Sequence, residues 1–437
     1  MTVPNQTLVQ VQTYQKAELA WLLNSFCLIS QSNKKFNKFN ETETANLGDT
    51  VNYDLPPRYI TFNGLVITQQ PSNQRLQPLV CSQAFNVSSG FSDQQFIFNV
   101  KDYMPRYGEA AMDELGSKIE ADIAKNMISG VTINDPQNAN FGQIQTASGP
   151  YRFYGDGVTP INSIGQLAQA CANFRDFGAA KNKMRGFLPV TVVPNIVNTG
   201  LNQFANNRNN EMADTWELGN FSMTEWYESN LLPTQVAGDI GNAAAPNNVM
   251  TVVSTNDPTG MNVTAITFTE PTGGTDPLAI LAGDMAEFND GVAGKPNMRF
   301  LTFIGHNPCR QPVQFRATAQ AATVSGTVTV NITPPLVWAQ TANQNLNNPI
   351  QAGMKVTVLP THAAGMLDSG DQLYLAMPTL PDQEPFPTVR TMDKNSGAAI
   401  RHYWGVQFGQ NVRSYVRDEI HGSTLNQDNC MRFIFPV

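Results

Sequence analysis

Four histidines, His306, His362, His402 and His421, are the residues best suited to acid–base work or metal binding near neutral pH. None stands in an HExxH pattern or in a spacing that gathers three ligands. His306 and Cys309 are three residues apart, but two ligands do not make a metal site. Structural or surface roles are therefore expected for all four. The five cysteines, Cys27, Cys81, Cys171, Cys309 and Cys430, are scattered, odd in number and without CxxC spacing. That pattern predicts buried free thiols and folding in a reducing compartment such as a cytoplasm. No GxSxG elbow is present. Gly291-Val-Ala-Gly294-Lys295-Pro296 has a faint phosphate-loop look, but Pro296 stands where a hydroxyl would bind magnesium, so it reads as a turn. Glu109, Asp113 and Glu114 could be drawn as an acid–base pair, yet they read better as one solvated helix face. Lys181-Asn-Lys-Met-Arg185 is the one compact basic cluster and reads as a surface loop. No catalytic, cofactor-binding or metal-ligating residue is assigned, and no enzyme is expected.

Composition points the same way. The chain has 437 residues, 27 Lys plus Arg against 35 Asp plus Glu, and a net charge of −8. Charged residues are only 14%, while asparagines number 44. The acidic balance argues against a large surface for gripping phosphates, which needs clustered Lys and Arg. So little charge suggests that neighbours cover part of the exterior in the working state, through uncharged polar contacts. No run reaches the roughly 18 apolar residues of a spanning helix. Residues 1–14 lack Lys and Arg, and with them the basic start of a signal peptide.

The elements follow from periodicity. Leu19, Leu22, Leu23, Phe26 and Ile29 recur at helical spacing, giving an amphipathic helix that packs either on its own core or on another subunit. Residues 31–50 are polar and pattern-poor and read as an arm. Strand-like sequence over 56–62, the Asn63-Gly64 turn signal and Leu65-Val66-Ile67 predict a long two-stranded excursion over 51–85. Strands are also expected near 79–85 and 95–100. Pro105 opens the best helix, with Met112, Leu115, Ile119, Ile123 and Met127 on one face and Gly130 as its stop. Its roughly 25 residues would make a rod of about 37 Å. Its charged residues, Glu120 and Asp122 among them, are read as lying mostly off that stripe. Helices near 161–174 and 195–204 and strands near 187–193 and 221–228 follow. From about 234 to 348 helical periodicity vanishes, and short alternating runs at 249–254, 263–269, 313–319 and 327–332 predict a small all-β barrel or sandwich. Mixed sequence returns after it, with strands near 399–408 and 432–435, so the β segment is an insertion.

This order of parts resembles the major coat protein of tailed bacteriophages, in the podovirus-type subgroup with an inserted β-domain. Ala17-Glu-Leu-Ala-Trp-Leu-Leu-Asn24, Gly48-Asp-Thr-Val51 and Pro56-Pro57-Arg58-Tyr59 are similar to that family's arm and the start of its extended loop. Pro105-Arg106-Tyr107 running into Ala110-Ala111-Met112-Asp113-Glu114-Leu115 resembles its spine helix. Tyr227 to Pro233 resembles the approach to the insertion. Leu281-Ala-Gly-Asp284, Gln314-Phe315, Ile332-Thr-Pro-Pro335 and Asn343-Gln-Asn345 resemble the inserted domain and its exit. Gly397 to Arg401 and Arg417 to Gly422 resemble the C-terminal strand pair.

The resemblance implies an α+β tailed-phage capsid fold: N-terminal arm, extended hairpin loop, long spine helix, peripheral and axial domains, and an inserted all-β barrel. The expected spans are 1–50 for the arm, 51–98 for the hairpin and return strands, 99–160 for the spine and peripheral domain, 161–235 for the axial domain and 236–345 for the barrel. Part of 375–437 completes the peripheral domain, and part of 346–437 completes the axial domain. It also implies self-assembly into pentamers and hexamers of an icosahedral shell around double-stranded DNA, without sequence-specific DNA binding and without membrane contact. Scaffolding, portal and decoration proteins are the implied partners, with assembly in the host cytoplasm and residence in the virion. The arm and hairpin look poorly able to bury their own apolar faces, so Leu19, Trp21, Leu22, Leu23, Phe26, Arg58, Tyr59, Phe62 and Leu65 are expected at intersubunit contacts. The alternative is a non-viral β-rich structural or adhesive surface protein, which would need an export signal.

Overall fold

A computed structural model describes residues 6–34, 50–55, 57–59, 61, 69, 75–92, 107–128, 149–178, 184–201, 220–244, 247–271, 278–302, 305–393, 397–406 and 412–437. The Asn63-Gly64 turn, Phe62, Leu65, the 95–100 strand and the Lys181 cluster's first three residues lie outside them.

Six α-helices occur among the described residues: α1 (Gln6–Ser25), α2 (Cys27–Gln31), α3 (Glu109–Lys125), α4 (Ile164–Asp176), α5 (Val193–Leu201) and the single turn α6 (Asp239–Asn242). The stripe expected on α3 is the buried one. Met112, Leu115, Ile119 and Ile123 are fully or nearly fully enclosed, and Met127 continues the face just past the helix. Helix α4 starts three residues later than expected from its apolar pattern, after a capping box in which Ser163 and Gln166 satisfy each other's ends of the first turn.

Strands build three bodies. Six of them close a barrel in the order Val263–Thr269, Thr327–Leu336, Gln314–Ala317, Met285–Phe288, Lys355–Val358 and Val249–Thr255. Alternate residues of these strands fill its interior, with Phe315 stacked on Phe268 at 6.2 Å and edge-on to Phe288 at 5.8 Å. Lys355–Val358 lies beyond the expected end of this segment at 345, yet it bonds to strands on both sides and closes the ring. Four residues are too few to show periodicity. The chain enters and leaves the barrel at one place, since Gln235 pairs with His362 and Thr234 with Ala363.

Beneath the barrel is a seven-stranded sheet running Phe153–Tyr154, Cys430–Pro436, His362–Asp368, Met184–Pro189, Thr224–Ser229 and Asn220–Phe221, with Thr234–Gln235 attached to His362–Asp368. Helices α4 and α5 cover one face through Leu167, Phe174, Ile196 and Val197 against Leu188, Met431 and Phe433. The strand expected over 221–228 is interrupted. Ser222 and Met223 both adopt positive φ, making the tight two-residue turn between Asn220–Phe221 and Thr224–Ser229.

The third body is a five-stranded sheet around Val412–Leu425, which pairs with Gln83–Ser92, Ala399–Val406 and Leu373–Ala376, while Thr388–Met392 adds to Ala399–Val406. Helix α3 lies on this sheet, and α1 and α2 lie on α3. A separate two-stranded ribbon, Thr50–Leu55 with Arg75–Val80, pairs with no other strand among the described residues.

Candidate functional site

The amphipathic face of α1 is met inside the chain. Gln15, Glu18, Leu19 and Leu22 are buried at helical spacing, and Leu19, Leu22, Leu28 and Ile29 join Met112, Leu115, Ile119 and Ile123 in one core. This corrects the expectation that Leu19 and Leu22 find burial only on another subunit: α3 offers them an apolar stripe of its own chain. Leu23 and Phe26 are half-buried, and the Phe26 ring fills the space beside Gly116, where an added Cβ would meet Cε2 at 2.1 Å. Trp21 is 38% exposed and donates its indole N–H to Asp113 at 2.8 Å.

A buried ionic network fastens these elements together. Glu18 on α1 accepts from Arg417 Nε at 3.1 Å and Nη2 at 2.9 Å, and its other oxygen meets His402 Nε2 at 3.0 Å. Burial opposes the Glu18 charge, but hydrogen bonds from His402 and Arg417 hold its carboxyl below the usual range. Four residues along the same strand, His421 lies between Glu419 at 3.0 Å and Asp122 of α3 at 3.2 Å. Burial works against its protonation, but the Glu419 charge and the bonds to both carboxylates push it up to about 10, so it is an imidazolium at neutral pH. Glu120 accepts from Leu28 N at 3.1 Å and Ser229 Oγ at 3.2 Å, so it caps the start of α2 and ties it to the seven-stranded sheet. Glu120 and Asp122, read as lying mostly off the apolar stripe, are thus buried as well. The helix buries them because each has built-in partners.

The histidine expectation divides. His402 and His421 are structural and paired, His362 is buried, and His306 lies on a turn with positive φ. No cluster of three or more metal-binding groups occurs among the described residues. The cysteines described are free. No helix of the described residues is long and apolar enough to cross a membrane.

Among the described residues the hairpin is anchored at its root and at Arg58. Leu79 and Cys81 are fully enclosed with Ala376 and Ile420, and Gly422 allows the backbone at Val80 to lie against the sheet. Arg58 reaches back to Asp428 at 2.6 Å, while Tyr59 is 54% exposed. Sequence reasoning missed Glu18, Asp122, His402, Arg417, Glu419 and His421 as a unit. Their only signal was the two-residue spacing of Arg417, Glu419 and His421, which places three titratable groups on one face of a strand.

No family model matches the chain, and no curated protein matches it. Among solved structures it is similar to a capsid chain of the cyanophage P-SCSP1u, at 10% identity and TM-score 0.38 over 90% of this chain and 84% of that one. It is also similar to a chain from Gordonia phage Cozz, at 10% identity and TM-score 0.39 over 94% and 86%. A capsid chain of Ralstonia phage GP4 matches at 8% identity and TM-score 0.37 over 91% and 86%.

Proposed function

We propose that this chain is the major coat subunit of a tailed bacteriophage, a structural, non-catalytic protein that assembles into the icosahedral shell enclosing double-stranded DNA. The observation that carries the reading is the hairpin. Its strands pair only with each other among the described residues, and 19 residues separate Leu55 from Arg75. A lone two-stranded ribbon is marginal in water. Anchored at Leu79 and Cys81 and carrying the exposed Tyr59, it is suited to lie on a neighbouring copy. Repeated around a rotation axis, such a head-to-tail contact closes rings, and we assign it to pentamers and hexamers.

The arm reading narrows. Its proposed intersubunit residues are the exposed Trp21 and the half-buried Leu23 and Phe26, together with Arg58, Tyr59, Phe62 and Leu65 of the hairpin. The ribbon and α3 correspond to the extended loop and spine, the five-stranded and seven-stranded sheets to peripheral and axial domains, and the barrel to an insertion. Scaffolding, portal and decoration proteins are proposed partners, and assembly is proposed to occur in the host cytoplasm before the subunit resides in the virion. The hairpin and the sparse charge support this reading. Negative-stain imaging of the expressed protein, with and without a scaffolding partner, tests it. Shells or ring-shaped capsomers are expected, and single particles under both conditions would overturn it.

A further inference from the structure

Where the barrel meets the seven-stranded sheet, two arginines face each other in the interior. Arg316 belongs to the barrel strand Gln314–Ala317, on the side opposite Phe315 and away from the barrel's own core. Arg432 belongs to the strand Cys430–Pro436, on the side opposite Met431 and Phe433, which pack toward α4 and α5. Both are fully buried. Both donate to one acceptor, the carbonyl of Ile128, Arg316 through Nη1 at 3.4 Å and Arg432 through Nη2. Arg432 Nη1 also reaches the Gly283 carbonyl at 3.3 Å and His362 Nε2 at 3.5 Å.

One acid answers only part of the charge of this pair. Asp284 acts on Arg432 through its charge, but its hydrogen bonds come from the backbone N–H groups of Gly238 and Leu281 and from Gln235 Nε2, at 3.0, 2.8 and 3.1 Å. Glu287 is occupied by Gln314 at 2.7 Å. His362 contributes no negative charge, and burial together with Arg432 keeps it neutral, near 4. Arg316 Nε and Nη2 and Arg432 Nε have no hydrogen-bond partner among the described residues. A third buried arginine shows the contrast. Its Nε and Nη1 likewise find no hydrogen-bond partner among the described residues, but Arg152 lies over the rings of Phe177 at 3.9 Å and Phe174 at 4.9 Å, so aromatic faces answer its cation. Two like charges sharing one carbonyl, with three N–H groups unmet, is an arrangement that interiors avoid unless a counter-charge is supplied.

We propose that Arg316 and Arg432 form a buried anion site at the junction of barrel and sheet, taking a small inorganic anion (sulfate, phosphate or chloride) that accepts the unmet guanidinium N–H groups. Both sides of the site come from different bodies, so the bound anion cements the barrel to the sheet. It enters while the two are apart and is released only when they separate. Gly149, where an added Cβ would come within 2.7 Å of Arg316 Nη1, keeps the backbone close to the site's wall.

The test is thermal unfolding of the full chain at fixed ionic strength in sodium gluconate, whose anion is too bulky for the site, with sulfate, phosphate or chloride substituted in increasing amounts. A saturable rise of a few degrees in Tm is expected for at least one anion. The Arg316→Met variant should lose that rise, and the Arg152→Met variant should keep it. Refolding the full chain in radiolabelled sulfate or phosphate, or in radioactive chloride, followed by desalting checks for one retained anion per chain without relying on any variant. Absence of saturable stabilisation by all three anions overturns the proposal, as does an undiminished response in Arg316→Met.

Discussion

Glu18→Ala is expected to unlatch the arm. The substitution removes both oxygens that Arg417 and His402 use, leaving a fully buried guanidinium without its two carboxylate bonds. Breaking a buried ion pair from one side costs about 3–5 kcal/mol. The chain has a cheaper escape, however. If α1 lifts away, Arg417 regains water and the loss is capped at the docking energy of α1, to which Leu19 and Leu22 contribute about 1.5–3 kcal/mol each. Both routes raise the open population of the arm by at least a hundredfold, since ~3 kcal/mol is roughly two powers of ten. Protease cleavage within α1 reads this opening directly, whether or not the remainder unfolds in one step. Emission from Trp21, whose indole bonds to Asp113 only in the docked state, is the second probe. Glu18→Gln keeps the shape and one acceptor and should fall between Ala and the native residue. In a cycle with Arg417→Met the two losses should fail to add by about 2 kcal/mol or more. A cleavage rate within threefold of the native one, with additive single losses, would refute this account of the latch.

Three further outcomes are expected. His421 has its folded pKa raised from 6.5 to about 10, so the folded chain holds a proton that the unfolded chain gives up. Its contribution is complete below about pH 6.5 and is lost as pH rises toward 10. Unfolding midpoints should fall across that window, and His421→Asn should flatten the slope. Gly116→Val should cost about 1–3 kcal/mol, because the new side chain claims the volume of the Phe26 ring 2.1 Å away; an unchanged urea midpoint would contradict the packing. Tyr59→Asp should leave the subunit's stability within about 0.5 kcal/mol, as expected for an exposed position, while sharply lowering the yield of shells by sedimentation.

Legibility followed how much of each element's partnership lies within its own few residues. The α3 stripe could be read because Met112, Leu115, Ile119 and Ile123 repeat at the helical period. The barrel strand Val263–Thr269 could be read, to its ends, because buried and outward residues alternate strictly enough. The longest strand, Val412–Leu425, escaped attention except through family resemblance. Arg413, Arg417, Asp418, Glu419 and His421 make it look solvated, and its burial depends on α1 and α3, which lie about 300 to 400 residues away in sequence. Lys355–Val358 was too short to stand out. The network was hidden for a related reason: a carboxylate on a helix carries no local mark of a buried histidine opposite it.

The internal latch changes which part of the arm is free to make contacts. A helix whose apolar stripe were bare would adhere to any hydrophobic surface, including the wrong copies. Between Gln15 and Ser25 the stripe is covered, and the described side chains left outside there are Lys16, Ala17, Ala20, Trp21, Asn24 and Ser25. They are mostly uncharged, with one aromatic anchor. Such a face gains little from a single contact and much from many simultaneous ones. The same economy holds for the ribbon, whose apolar root at Leu79 and Cys81 is buried while Tyr59 is presented. On the proposed reading, such a subunit folds its body alone and is then joined by several weak contacts at once, the ribbon's included. Assembly should accordingly depend steeply on subunit concentration, with little association below a threshold; a gradual, dimer-like rise in association instead would argue that one strong interface dominates.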